Sequence, residues 1–183
     1  MMEPQRNLTE GVTPTALVFN LANAEEFVGI KIERTEDVTL ITSILSHPEI
    51  KDRVSDDGEV TVPLHPQLYY LLPKIEIGVE PGMIEERVIG CLAFAPINHI
   101  TWNPHIAILP QYRGIGTQAM ELGMKWMFKN TRCKKLIVNV PEYNVPMLRV
   151  FEKCDFKREG YSPDSLMKNG QLHGRILMGR NHV

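Results

Sequence analysis

The residues best suited to chemistry fall in one short run, Ile108-Leu109-Pro110-Gln111-Tyr112-Arg113-Gly114-Ile115-Gly116-Thr117. An apolar stretch ends at Leu109, a loop with two glycines follows, and an amphipathic stretch begins at Ile115. That order suits a phosphate cradle. Glycine lets backbone approach a ligand closely, and the first N–H groups of a helix lack intrahelical partners. The helix dipole favours an anion there by about 0.3–1 kcal/mol, and Arg113 can add a charge-assisted hydrogen bond. The competing reading is a strand-to-helix turn whose glycines serve packing alone. Upstream, His105 and His99 are the side chains whose ordinary pKa suits proton removal near neutral pH. His105, late in the segment leading into the loop, is the candidate general base. A purely structural His105 is the alternative.

Two motifs carry a resemblance to a known family. Gln111-x-x-Gly114-x-Gly116 matches the Q/R-x-x-G-x-G/A pyrophosphate loop of the GNAT acetyltransferases. Many members have two more residues between the Arg-Gly and the Ile-Gly. Either Gln111 takes the motif's first position or Arg113 does in a shortened loop; Gln111 keeps the glycine spacing. The second motif is Asn144-Val145-Pro146-Met147-Leu148-Arg149-Val150-Phe151-Glu152-Lys153-Cys154-Asp155-Phe156. It resembles the family's N-x-x-A-x-x-x-Y-E-K-x-G-F helix. Phe151 stands at the tyrosine position and cannot donate a proton, and Asp155 replaces the glycine that ends the helix. Asp tolerates the left-handed conformation better than most residues, so the helix stop survives. Phe156–Gly160 and Lys168–Leu172 are similar to the ends of GNAT members of the ribosomal-protein and aminoglycoside type. The wording of the whole stretch, Trp126 and Pro141 included, resembles that of small GNAT-like proteins of tailed bacteriophages. The likeness covers residues 86–180 and is strongest over 106–160.

The resemblance implies an α+β fold: a mixed, mostly antiparallel sheet of six to seven strands flanked by helices. It also implies acetyl-CoA as co-substrate, without metal, and transfer of its acetyl group to a primary amine by direct attack. The amine belongs to an unidentified small molecule or protein, and a homodimer is an allowed assembly. Ile108, Leu109, Gln111, Tyr112, Arg113, Gly114, Ile115, Gly116, Thr117 and Asn144 would hold the coenzyme. The strands at 100–109 and 135–140 would splay around its pantetheine arm. His105 would act as the base, directly or through water, and a backbone N–H would stabilise the oxyanion. The thiolate's acid stays open between Tyr143, Tyr161 and water. The alternative is a GNAT-like binding or structural protein that has lost catalysis, for which Phe151 and the short loop speak.

Several elements must position these residues. Residues 1–24 read as an N-terminal arm and 25–183 as one domain. A strand over 28–32 leads to a helix over 35–45 capped by Thr35, with Pro48 just after it. Asp56-Asp57-Gly58 marks a turn, and some helix is expected over 66–72. Strands at 74–79 and 87–95 flank a Pro81-Gly82 turn. The strand at 100–109 carries Pro104, expected at a bulge because proline cannot serve a central ladder. Ile115, Ala119, Leu122, Gly123 and Trp126 recur at helical spacing, so a helix spans 115–129. Asn144 caps a short helix after the strand at 135–140, and strands at 156–161 and 171–178 close the chain.

The remaining features have bland readings. Lys and Arg number 20 and Asp and Glu 22, so the net charge of −2 gives no global reason to bind nucleic acid or an anionic membrane. No apolar run reaches the ~18 residues of a membrane span. Cys91, Cys133 and Cys154 form no C-x-x-C pair, which speaks against zinc, and their odd number fits a reducing cytoplasm. Cys154 reads as a surface or half-buried thiol, and Met120, Met124 and Met127 as core. Lys134-Lys135 and Lys157-Arg158 read as solvated faces, with contact to the coenzyme's 3′-phosphate open to one of them. The glycines open a helix late in the chain without G-x-G-x-x-G, which excludes a dinucleotide-binding module.

Overall fold

Alternating apolar residues build eight strands, and stretches of helical period cover both faces of the resulting sheet. The structure, a computed structural model, describes residues 26–54, 62 and 67–182. The expected arm at 1–24 and the turn at Asp56-Asp57-Gly58 lie outside the described residues. In chain order the elements are β1 (Glu26–Thr35), α1 (Val38–Leu45), α2 (Pro48–Val54), β2 (Tyr69–Glu80), β3 (Met83–Val88), β4 (Gly90–Pro96) and β5 (Thr101–Ile108). After a 3₁₀ turn at Pro110–Tyr112 come α3 (Gly116–Asn130), β6 (Lys135–Pro141), α4 (Val145–Lys153), β7 (Lys157–Lys168) and β8 (Gln171–Asn181). The sheet runs β1-β2-β4-β5-β6-β8-β7, with β3 paired to the outer part of β2. Among the described residues only the β5–β6 pair is parallel.

Side-chain alternation sorts the core onto the two faces. Leu92 and Phe94 of β4, Trp102 and Ile106 of β5, and Leu136 and Val138 of β6 pack beneath α3 and α4. Cys91, Ala93 and Ala107 face the other way, toward α1 and α2. Gly123 brings α3 directly onto β4: a Cβ there would lie 2.4 Å from Leu92 Cδ1. Met120, Met124 and Met127 belong to this core. Cys154 is buried as well, not half-exposed, and desolvation pushes its thiol up to about 12.

The structure revises several local expectations. Eight strands form where six to seven were expected, because the run 87–95 is two strands. The buried Ile89 interrupts it, and its N–H donates to Pro73 O at 3.0 Å while β3 and β4 pair different parts of β2. Asp37, not Thr35, caps α1: its Oδ1 accepts from Leu40 N at 2.9 Å, while Thr35 ends β1 and accepts from Asp37 N. Pro48 starts a second helix, where its missing N–H costs nothing. Residues 69–72 are strand, not helix, held by pairing to both β1 and β4. Pro104 sits in regular register opposite Phe94, without a bulge. Its nitrogen points away from β4, toward a side where no strand is paired to it. Asp155 adopts φ 62° and ends α4 in the left-handed conformation.

Candidate active site

The site arises because β5 and β6 pair only at their beginnings. Thr101 faces Lys135 and Trp102 faces Leu136, and beyond these positions the parallel ladder stops. The backbone groups of the later β5 residues then divide by alternation. Leu109 N donates to Ile89 O at 2.9 Å, so the odd-numbered residues of this segment bond toward β4. The N–H and C=O of Ile106 and Ile108 consequently face the gap. Two cavities occupy it, of about 410 and 520 Å³. Both are lined by Ile106, Ala107, Asn144 and Met147, so they form one continuous cleft.

The larger cavity lies at the start of α3. Gly114 takes φ 102°, a conformation that L side chains rarely adopt, and swings the chain into the helix. Ile115 occupies the N-cap, offers no side-chain acceptor, and is fully buried as a peg beneath the loop. The first N–H groups of α3 thus have no side-chain cap and are presented to the cavity beside Gly116. A Cβ at Gly116 would meet Val150 Cγ2 at an ordinary 3.5 Å, so protein packing does not demand glycine there. Four cations line this end: Arg53, Arg113, Arg149 and Lys153. Among the described residues its one carboxylate, Glu49 on α2, is ion-paired with Arg113. Such donors and cations around one helix start suit an anionic ligand.

The smaller cavity surrounds His105. His105 is solvent-exposed where it lines the cavity, and the partial desolvation there holds its pKa below the ordinary histidine value of 6.5. Across the sheet it faces Ala93, which in turn faces Tyr70. Extending the β5–β6 register brings Asn139 level with His105 on the far side of the gap. Phe151 closes the α4 side, buried and edge-to-face with Phe156 at 4.8 Å between ring centres. Asn144, 6% exposed, joins the two cavities. Its Oδ1 accepts from Met147 N at 3.4 Å, and its Nδ2 donates to Arg53 O at 3.2 Å, tying α4 to α2.

Of the residues expected from sequence, the structure brings His105, Ile108, Arg113, Gly114, Gly116, Thr117 and Asn144 to the cleft. Leu109, Gln111, Tyr112 and Ile115 do not line it. Leu109 packs toward α1 and α2, Tyr112 packs against the cluster around Ile75 and Ile115, and Gln111 is exposed in the 3₁₀ turn. Tyr161 hydrogen-bonds Glu142 at 2.8 Å, and Tyr143 packs edge-on against His173; neither lines the cavity at His105. Lys135 and Arg158 are paired with Glu159 and Glu152, away from the cleft. Sequence reasoning missed Arg53, Glu49, Arg149 and Tyr70. For Arg149 a signal existed, since it lies four residues before Lys153 on the helix that Asn144 caps. For α2 the signal was the Pro48-Glu49 start.

Comparison with known proteins gives the same fold. The spermidine N-acetyltransferase of Vibrio cholerae, solved with CoA and spermine, superposes with a TM-score of 0.68 at 16% identity, over 83% of this chain and 95% of that one. A dodecameric structure of spermidine N-acetyltransferase from the same organism gives 0.65 at 14% identity, over 83% and 93%. An N-acetyltransferase 9-like protein of Caenorhabditis briggsae is 43% identical over 51 residues, 27% of this chain and 26% of that protein. The chain therefore matches about a quarter of the length of this relative. Residues 55–156 match the model of the Acetyltransferase (GNAT) family, and this chain is a member of it.

Proposed function

We propose that the protein is an N-acetyltransferase that moves the acetyl group of acetyl-CoA onto a primary amine by direct attack. One observation carries this reading: a single cleft joins the uncapped start of α3 to His105 through the break in the β5–β6 ladder. The pyrophosphate fits the N–H groups around Gly114, Gly116 and Thr117, with Arg113 as a neighbouring cation. The free backbone edge at Ile106 and Ile108 suits the amide groups of pantetheine. Asn144 fixes the width of the cleft between these parts. Leu109, Tyr112 and Ile115 serve by anchoring the loop, and Gln111 by completing its turn.

The acceptor arrives as an ammonium and must lose a proton before it can attack. Desolvation keeps the His105 imidazole neutral near pH 7, so its free nitrogen takes that proton. The amine nitrogen then bonds to the thioester carbonyl carbon, whose oxygen is met by a backbone N–H on the open edge of β5. The C–S bond breaks and the electron pair leaves with sulfur. The second proton, lost by the attacking nitrogen as the tetrahedral adduct collapses, passes through water to the thiolate, since Phe151 has no hydroxyl and Tyr161 is engaged by Glu142. The free state of all three cysteines supports a reducing cytoplasm as the setting.

The test is thermal unfolding with and without acetyl-CoA, followed by an assay of thiol release with amines. A ligand at 100 times its Kd stabilises a fold by about 2.7 kcal/mol. An upward shift with amine-dependent thiol release supports the enzyme. A shift without turnover of any amine selects a coenzyme-binding protein that has lost catalysis, which the apolar Phe151 would favour. No shift at millimolar acetyl-CoA removes the enzyme reading and leaves a GNAT-like binding or structural protein.

A further inference from the structure

The cavity at His105 differs in chemistry from the one at α3, and the difference bears on the acceptor. Among the described residues, no Asp, Glu, Lys or Arg lines it. Its walls are Leu45, Leu68, Tyr70 and Phe151, and its floor on β4 is Cys91, Ala93 and Ala95, small residues that leave room above the sheet. Polar groups are few: His105, Asn139 and the Asn144 that bridges α2 and α4. Burial raises the Tyr70 hydroxyl and pushes the Cys91 thiol up to about 12, so neither supplies negative charge.

Among the described residues, the carboxylates nearest the cleft lie outside this lining and are hydrogen-bonded or ion-paired. Glu142, next to Pro141 at the mouth, accepts from Gly174 N at 2.9 Å through Oε1 and from the Tyr161 hydroxyl at 2.8 Å through Oε2. Glu49 is paired with Arg113, and Asp52 lies 3.3 Å from Lys168 Nζ. Glu142 keeps its charge but stands outside the lining, so inside the cavity a ligand with several ammonium groups would lose hydration with no counter-charge beside it among the described residues, a large penalty per ion. A ligand with one amine beside an apolar body needs only the one site that His105 provides, and gains from the apolar walls.

We infer that the acceptor is a small monoamine with an apolar body, an alkyl- or arylalkylamine, and not a polyamine. This rests on the acetyltransferase reading above and deepens it. The two can fail separately.

The experiment measures kcat/KM for hexylamine, 2-phenylethylamine and spermidine with saturating acetyl-CoA on the full chain, after a thermal-shift check that the coenzyme binds. The monoamines are expected to exceed spermidine by about 100-fold or more, because the extra ammonium groups find no partner. Ala95→Asp places a carboxylate on the wall two residues from Ala93, the direct neighbour of His105, and is expected to narrow that ratio by about tenfold. Absence of a coenzyme shift would remove the parent reading. With the coenzyme bound, three outcomes would overturn the inference alone: spermidine equal to or better than the monoamines, acetylation only of a peptide amino terminus, or no turnover of either monoamine. The wild-type panel decides the question even where Ala95→Asp fails to fold.

Discussion

The two ends of the cleft are built by opposite means. At the start of α3, backbone does the work: a left-handed Gly114, a helix without a side-chain cap, and four cations around them. At His105, side chains do it: one imidazole amid apolar walls, with no charged neighbour among the described lining residues. The first kind of site recognises a charge that every coenzyme molecule carries. The second selects a shape and lowers the pKa of one base. On the function proposed above, binding and chemistry would be separable, because they would depend on different atoms about one shared strand, β5.

The largest effect is expected from Gly116→Asp. Its Cβ fits the fold, since the nearest atom lies at 3.5 Å, but its carboxylate would stand where the pyrophosphate is proposed. Coenzyme affinity should fall by about 100-fold or more, because the new carboxylate would occupy the helix start and repel the phosphate. Calorimetry checks this, and unchanged affinity would break the assignment of that end.

His105→Asn should produce the converse pattern. kcat should drop by about 10²–10⁴-fold, the range for a lost general base, while coenzyme affinity stays unchanged. Equal loss of both would show that the ends are not separable.

A subtler consequence concerns pH. Because His105 is held below 6.5, the acid limb of kcat/KM should also lie below 6.5, and His105→Asn should abolish it. The sign for stability follows. Between the lowered folded value and the ordinary one, the unfolded chain binds more protons, so stability falls as pH drops through that window. Wild type should therefore lose Tm faster than His105→Asn as pH falls below 6.5.

The smallest effect is expected from Glu49→Gln. It frees Arg113 from an exposed ion pair of the kind worth about 0.2–1 kcal/mol. Coenzyme should bind at most about fivefold more tightly, and the gain should shrink in high salt. Weaker binding would show that Glu49 orders Arg113 instead of competing for it.

Legibility in the sequence followed periodicity and local chemistry. The helix at 115–129 was readable because its apolar residues repeat over several turns, and the structure starts it within one residue, at Gly116. Asn144 was readable as a cap because a short polar acceptor precedes Pro146 and an apolar face. The run 87–95 was not readable as two strands, since Ile89 breaks it only through a hydrogen bond to Pro73 far away in sequence. Tyr70 and Ala93 could not be found at all. They join His105 by sheet register, which no local pattern encodes. The helix α2 was missed because at seven residues it is too short for periodicity to speak.

The sequence by itself determined the loop and the helix that follows it, and offered His105 as the candidate base, because these depend on glycine conformation, helical period and the pKa of a residue type. Only the tertiary structure decided where the parallel ladder of β5 and β6 stops, which cations of α2 and α4 reach the helix start, and that the pKa of His105 is lowered. Those properties arise from contacts between segments remote in the chain, and such contacts exist only once the sheet has closed.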